Sequence, residues 1–209
     1  MFLFTGFIGQ GTIGDRKNPA ALIRSFLQAF PSSENVCLVL KLYSPFPNAK
    51  KTHSFFDLIP PNESRIIVID ANFSQDQFYG LMNACDCYVS LHRCEGYGLG
   101  MIEAMALGKP VIATNYSGNT TFMNDHNSCL VDYTFTSTGN IPFNTNSFSS
   151  RYAKVNIDHA ATVMKKIHND PDYRTDIANQ AQLDIETHFS RAAIAPLVES
   201  QLLPLLQNQ

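Results

Sequence analysis

Apolar and polar residues alternate along this chain in two different periods. Continuous apolar runs at Phe2–Ile8, Val36–Leu42, Arg65–Asp70, Asp86–Leu91 and Val111–Thr114 read as strands covered on both faces. Between them, apolar residues recur at three-and-four spacing. Leu22, Ile23, Phe26, Leu27 and Phe30 mark one helix face. Leu99, Ile102 and Ala106 mark another, on a helix predicted over Leu99–Leu107. The punctuation agrees. Asn18 suits an N-cap and Pro19 the first helical position. Ser74 and Gln77 make a capping-box pattern for a helix through Ala84, and Gly108 followed by Pro110 ends a helix. Tyr43–Ser64, with four prolines, reads as a loop region holding a short helix.

Strands alternating with helices of this length predict an α/β fold, a Rossmann-like doubly wound parallel sheet. After Leu130 and Val131 the composition changes. Thr134–Ser150 is rich in Thr, Ser, Asn and Phe and reads as one long loop, a lid or partner-facing surface. Helices are predicted near Asp158–His168, Tyr173–His188 and Arg191–Leu206, the last with a kink point at Pro196. The expected organisation is a single domain, residues 1–209, with C-terminal helices.

Composition narrows the function classes. The chain has 209 residues, 44% of them apolar, and a net charge of -3. That balance gives no reason to expect nucleic acid or an anionic membrane as partner. Its five cysteines, Cys37, Cys85, Cys87, Cys94 and Cys129, include no C-x-x-C pair and read as free, mostly buried thiols in a reducing compartment. The histidines show no ligand spacing, so no metal site is expected. Met1–Ile8 reads as a first core strand rather than a leader. No run approaches the roughly 18 apolar residues of a membrane span, so a cytoplasmic location is expected, at the membrane periphery or away from it.

The chemistry concentrates in Ser90–Thr114. Two glutamates, Glu95 and Glu103, stand with seven residues between them. Glu95 falls in the loop after a strand, and Glu103 more than one turn into the following helix. Gly96 and Gly98 let backbone approach a ligand closely, and the free N–H groups of Tyr97, Gly98, Leu99 and Gly100 open the helix and attract an anion. Eight residues of mixed loop and helix span about 12 Å at about 1.5 Å per residue. That layout suits a ligand with a hydroxylated ring at each end and a diphosphate between, since carboxylates accept paired sugar hydroxyls strongly. Taken singly, Glu95 would read as a helix cap and Glu103 as a solvated residue. The pair, the glycines and the strand–loop–helix setting favour the ligand site.

The stretch Glu95-Gly96-Tyr97-Gly98-Leu99 through Glu103-Ala104-Met105-Ala106-Leu107-Gly108-Lys109-Pro110-Val111-Ile112 resembles the Glu-x7-Glu signature of the family-4 retaining glycosyltransferases, two-domain GT-B enzymes. Asn115-Tyr116-Ser117-Gly118-Asn119, Phe122-Met123 and Asp15-Arg16-Lys17-Asn18-Pro19 extend the resemblance over most of the chain. It implies the donor-binding half of a GT-B fold. The implied reaction is transfer of a hexose-type sugar from a UDP- or GDP-linked donor, with retention and without metal or other cofactor. The acceptor would be a glycan or lipid-linked one, as in polysaccharide biosynthesis. By resemblance Glu103 binds ribose hydroxyls. Glu95 holds the donor sugar and is the catalytic candidate, although a front-face substitution in which the leaving phosphate deprotonates the acceptor needs no enzymic base. Lys17 matches the family's phosphate-binding lysine. The arginine that many members carry about six residues earlier is Gly11 here, leaving Arg16 or Lys41 to supply the charge. His92 is a candidate phosphate or acceptor contact, or a structural residue. Ser117, Gly118 and Asn119 are candidates for the phosphate or sugar, and Thr121 stands where many members have an acidic residue.

Two other motifs compete with this reading. Gly9-Gln10-Gly11-Thr12-Ile13-Gly14 fits G-x-G-x-x-G and would suggest an NAD-dependent oxidoreductase. The helix, however, starts after the third glycine, and the second strand ends in Lys41-Leu42-Tyr43 with no acidic residue for a ribose. Asp170-Pro171-Asp172 resembles a metal-binding D-x-D but falls between two helices, where a turn and helix cap is expected. A GT-B enzyme works in the cleft between two domains, and the resemblance covers the donor half. The expectation is therefore of a missing N-terminal acceptor domain or partner chain, with a catalytically silent nucleotide-sugar-binding module as the alternative.

Overall fold

The apolar runs become six parallel strands: β1 (Phe2–Phe7), β2 (Leu38–Tyr43), β3 (Ile66–Asp70), β4 (Cys87–Ser90), β5 (Val111–Thr114) and β6 (Cys129–Val131), in the spatial order β3-β2-β1-β4-β5-β6. The structure, a computed structural model, describes residues 1–7, 16–32, 35–43, 54–137 and 151–206. The glycine motif Gly9–Gly14 and residues 44–53 of the proline-containing region lie outside the described residues.

Helices cover both faces, as continuous apolar strands require. α1 (Pro19–Ala29) and α4 (Ile157–Asn169) pack on one face; α2 (Gln75–Ala84) and α3 (Leu99–Ala106) pack on the other, and α5 (Pro171–His188) joins both, through Tyr173 and Ile177 to the first and Ala181 and Ile185 to the second. The alternation of each strand divides the core. Phe2, Phe4, Leu38, Leu40, Val89 and Ile112 face α1 and α4. Leu3, Val39, Tyr88, Val111 and Ala113 face Met82, Met101, Met105 and Ala181. The predicted caps form. Asn18 Oδ1 accepts from the Ala21 amide, and Ser74 and Gln77 close a capping box. Asp170 caps α5 through the Tyr173 amide, so Asp170-Pro171-Asp172 is a helix start. α3 ends in a Schellman turn: Lys109 N–H reaches Ala104 O, Gly108 N–H reaches Met105 O, and Gly108 sits at φ 65°.

Two expectations are corrected. The buried face of α3 is Met101, Ala104 and Met105, not Leu99, Ile102 and Ala106; Leu99 is 67% exposed. The helix is apolar nearly all round, so two registers satisfy the same spacing and tertiary packing decides between them. The start of the supposed loop at Thr134–Ser150 is a strand, β7 (Tyr133–Ser137), paired antiparallel with β8 (Arg151–Val155); residues 138–150 lie outside the described residues. The last helix, α6 (Arg191–Leu206), has Pro196 and Pro204 within it and no buried residue. Among the described residues no helix is long and apolar enough to cross a membrane. All five cysteines are free, and Cys85, Cys87 and Cys129 are buried.

Candidate functional site

The chain winds outward from β1 through β2 to β3, then restarts at β4 and winds the other way, so β1 and β4 are neighbours whose connections leave in opposite directions. In such sheets the crevice beyond the carboxyl ends at this switch point is where ligands bind. The Glu95 loop leaves β4 at that point. The Arg93 amide donates to the Arg16 carbonyl at 2.8 Å, tying the two halves of the edge together.

Glu95 is the electrostatic centre. Its side chain is 7% exposed and pairs with Lys17 Nζ at 2.5 Å and Arg16 Nη1 at 2.9 Å. Arg16 also donates to the Cys94 carbonyl. Burial alone would push the Glu95 carboxyl up. Lys17 and Arg16 more than offset that and hold it below its ordinary value, so Glu95 is an ionised carboxylate flanked by two cations. Its backbone is fixed as well: the amide donates to Ser117 Oγ at 2.8 Å, and its carbonyl accepts from Gly118 N–H at 3.1 Å. Gly118 has to be glycine here. A Cβ would run into the Gly96 carbonyl and come 2.8 Å from Tyr97 Cα. Gly98 caps α3 at φ 101°, and Tyr97 and Leu99 are exposed beside it. The leading amides of α3 have no intrahelical acceptor, which leaves these donors and the positive end of the helix dipole open to an anion.

Glu103 stands one turn further on, half-buried, accepting from the Tyr79 hydroxyl at 3.1 Å. Tyr79 lines a cleft of about 630 Å³ beyond the ends of β1 and β2, walled also by Thr5, Lys17, Lys41, Phe73 and Phe78. The two glutamates therefore bracket the helix start, Glu103 toward the cleft and Glu95 over the switch point.

Lys41 is engaged by backbone carbonyls, and His92 takes the structural one of the two roles expected for it. Lys41 is buried, and its ammonium donates to the carbonyls of Leu42 at 2.9 Å and Ala71 at 2.6 Å and lies over the Phe73 ring. Burial lowers its pKa, with Asp70 opposing. It braces the turn after β3 instead of standing free as a phosphate cation. His92 has no exposed surface. Nδ1 meets Ser90, and Nε2 meets the Tyr116 carbonyl and Asn119 Oδ1. Burial lowers its pKa, so it is a neutral strut between the loops after β4 and β5. Asn119, wholly buried, donates to Thr114 O and holds the same corner. Ser117 serves the Glu95 backbone. The Gly118 contact is invisible in the sequence, where its only trace is a glycine just past a strand end. Among the described residues no group of three His, Cys, Asp or Glu side chains is placed to hold a metal ion.

Residues 64–137 match the model of the family described as glycosyl transferases group 1. No curated protein sequence matches the chain. Solved structures share its fold. The chain aligns over 96% of its length with Anabaena HepE in complex with UDP and glucose, covering 47% of that chain at 19% identity and a TM-score of 0.70. It aligns over its full length with a glycosyltransferase from Rickettsia africae, covering 48% of that chain at 16% identity and a TM-score of 0.73. It covers 91% of itself and 86% of the C-terminal domain of the group 1 family protein LpcC from Francisella tularensis, at 17% identity and a TM-score of 0.68. The chain thus spans about half the length of the first two. Its residues 64–137 carry the group 1 glycosyl transferase pattern, and the whole has the Rossmann-like fold of the C-terminal half of a GT-B glycosyltransferase.

Proposed function

We propose that the chain binds a nucleoside-diphosphate sugar along the carboxyl edge of its sheet and serves as the donor half of a retaining, metal-independent glycosyltransferase acting on a glycan or lipid-linked acceptor. The observation that carries this is the pair of carboxylates bracketing one helix start, with two cations at the nearer one. In this reading the nucleoside lies in the cleft by Phe73 and Tyr79, and Glu103 accepts from its ribose hydroxyls. The diphosphate meets the α3 amides together with Lys17 and Arg16. Glu95 accepts from hydroxyls of the sugar. The bond from the anomeric carbon to the β-phosphate oxygen breaks, and a bond to the acceptor oxygen forms on the same face. The acceptor proton passes to the leaving phosphate. Lys17, Arg16 and the helix start stabilise the charge that develops there. The complex of HepE with UDP and glucose supports a UDP-linked donor.

A specific feature favours dependence on a second domain or chain. α6 leaves Leu197, Leu202, Leu203, Leu205 and Leu206 at least half exposed, apolar surface that a second domain or chain would cover. The isolated chain is then expected to bind donor without turning it over.

Calorimetric titration with UDP, GDP, their sugar conjugates and NADH, in the presence of a chelator, tests the donor reading. One nucleoside diphosphate should bind, and Glu103→Ala should weaken it by about 1–3 kcal/mol, the range for leaving a polar partner unsatisfied. Failure of every nucleoside diphosphate to bind, or binding indifferent to Glu103, would overturn it. Binding of NADH alone would support the oxidoreductase instead.

A further inference from the structure

Two hydroxyls meet under the first turn of α3. Leu3 on β1 is in register with Tyr88 on β4. Strand alternation puts Thr5 on the same face as Leu3, two residues nearer the carboxyl edge. The Tyr88 side chain reaches toward that edge, and its hydroxyl meets Thr5 Oγ1 at 2.7 Å. Gly100, the second residue of α3, closes over the pair. A Cβ there would come 2.5 Å from the Tyr88 hydroxyl oxygen and 3.5 Å from Thr5 Oγ1. Both hydroxyls therefore stand against the helix start.

Burial decides which of them donates. Tyr88 is 3% exposed, and among the described residues Thr5 Oγ1 is the hydrogen-bond partner of its hydroxyl. Burial pushes the phenol pKa up, against the Thr5 hydrogen bond, and the Glu95 and Glu103 carboxylates add to the rise, so the phenol keeps its proton. A buried O–H without an acceptor is costly. Tyr88 therefore donates and Thr5 accepts. Thr5 has a different environment. It is half-buried and lines the cleft beyond β1 and β2 together with Lys17. Lys17 passes close by, its Cβ 3.7 Å from where a Cβ on Gly6 would stand. A hydroxyl has one proton and two lone pairs. With Tyr88 on one lone pair, the Thr5 proton is left for the cleft.

We propose that Thr5 donates a hydrogen bond to a phosphate oxygen of the nucleoside diphosphate, and that Tyr88 is the positioning residue that aims it. An ionised diphosphate accepts hydrogen bonds and donates none, which matches a side chain that presents a proton. Ribose hydroxyls need an acceptor, and Glu103 supplies one. Thr5 also stands beside Lys17 and the α3 start, the groups that meet the diphosphate, so a hydroxyl, an ammonium and helix amides converge on one place. Hydrogen bonds to an ionised acceptor are stronger than neutral ones, and a donor already aimed loses less freedom when the ligand arrives. The inference rests on the donor reading above.

Titration of the whole chain with UDP, GDP, uridine and guanosine tests it. Thr5→Val keeps the shape of the side chain and removes the hydroxyl. It should weaken the nucleoside diphosphate that wild type binds by about tenfold, the scale of a hydrogen bond to a charged group, and leave the corresponding nucleoside unaffected. Thr5→Ser should restore the diphosphate affinity. Tyr88→Phe should lose part of that affinity, again with the nucleoside unaffected. Thr5→Val also strands the Tyr88 proton, so the double variant Thr5→Val/Tyr88→Phe, which removes both hydroxyls, separates folding from binding. It should melt closer to wild type than Thr5→Val does, yet bind the diphosphate as weakly. Wild-type diphosphate affinity in Thr5→Val or in the double variant overturns the inference. An equal loss for nucleoside and diphosphate overturns it too, as does Thr5→Ser binding as poorly as Thr5→Val. Full diphosphate affinity in Tyr88→Phe overturns the role given to Tyr88. If neither nucleoside diphosphate binds wild type, the donor reading itself falls and takes this inference with it.

Discussion

Glu95→Gln is expected to erase the difference in affinity between a nucleoside-diphosphate sugar and its bare nucleoside diphosphate. The substitution keeps shape and removes charge. If Glu95 holds sugar hydroxyls, wild type should bind the sugar conjugate more tightly than the diphosphate, and the variant should bind the two alike. With the acceptor half supplied, transfer should fall by about 10²–10³-fold, the usual effect of removing one well-placed electrostatic group. The variant also leaves Lys17 and Arg16 facing an amide. Breaking a fully buried ion pair costs about 3–5 kcal/mol, whereas exposed pairs are worth under about 1 kcal/mol. Glu95 is 7% exposed but its partners are 24% and 38% exposed, so a destabilisation between those limits is expected.

The pH dependence distinguishes this ion-pair contribution from mere packing. The folded-state pKa of Glu95 lies below its ordinary value of 4.5. The stabilisation is therefore fully present above that value and is lost as pH falls through the lower, folded-state pKa. Urea unfolding of wild type and Glu95→Gln should differ most near neutrality and converge in acid. A difference that stays constant with pH would show that the three-charge cluster contributes nothing through its charges.

Much of this site is legible in the chain, because its signals are local. Glycine, proline and capping residues mark the start and stop of α1, α2 and α3 within a few residues, and continuous apolar runs mark the strands. The placement of Glu95 before a helix and Glu103 inside it follows from those boundaries. What is not legible depends on partners distant in sequence. Lys41 looks like a free cation at a strand end; the Ala71 carbonyl that holds it comes thirty residues later. His92 could equally face a ligand, and only the corner at Tyr116 and Asn119 turns it inward. The α3 face is ambiguous because Leu99, Ile102 and Ala106 compete with Met101, Ala104 and Met105 in an equally apolar helix. β7 is hidden for a different reason. Tyr133-Thr134-Phe135-Thr136 has the two-residue alternation of a strand, but the Ser, Thr and Asn that follow it make the whole stretch look like loop.

Gly118→Ala is the second large expected effect, and its contrast with Gly96→Ala makes it informative. Both glycines border the Glu95 loop, but their surroundings differ. A Cβ at Gly96 meets nothing within 4 Å, whereas one at Gly118 meets backbone at Gly96 and Tyr97. Backbone cannot rotate aside as a side chain can, so Gly118→Ala must push the two loops apart and strain the bond from its own N–H to the Glu95 carbonyl. Overpacking of this kind costs about 1–3 kcal/mol. A loop displaced by about 1 Å can lose about 10²-fold in function, so nucleotide-sugar affinity should collapse beyond what the stability loss explains. Gly96→Ala should leave stability within about 0.5 kcal/mol of wild type, as open surface positions do. If it nevertheless weakens UDP-sugar binding, the added methyl is meeting the ligand, which places the diphosphate or sugar against the Gly96 backbone. Equal stability for wild type and Gly118→Ala would show that the two loops do not approach as closely as their shared hydrogen bond requires. The Glu95 carboxylate would then be held by its two cations alone.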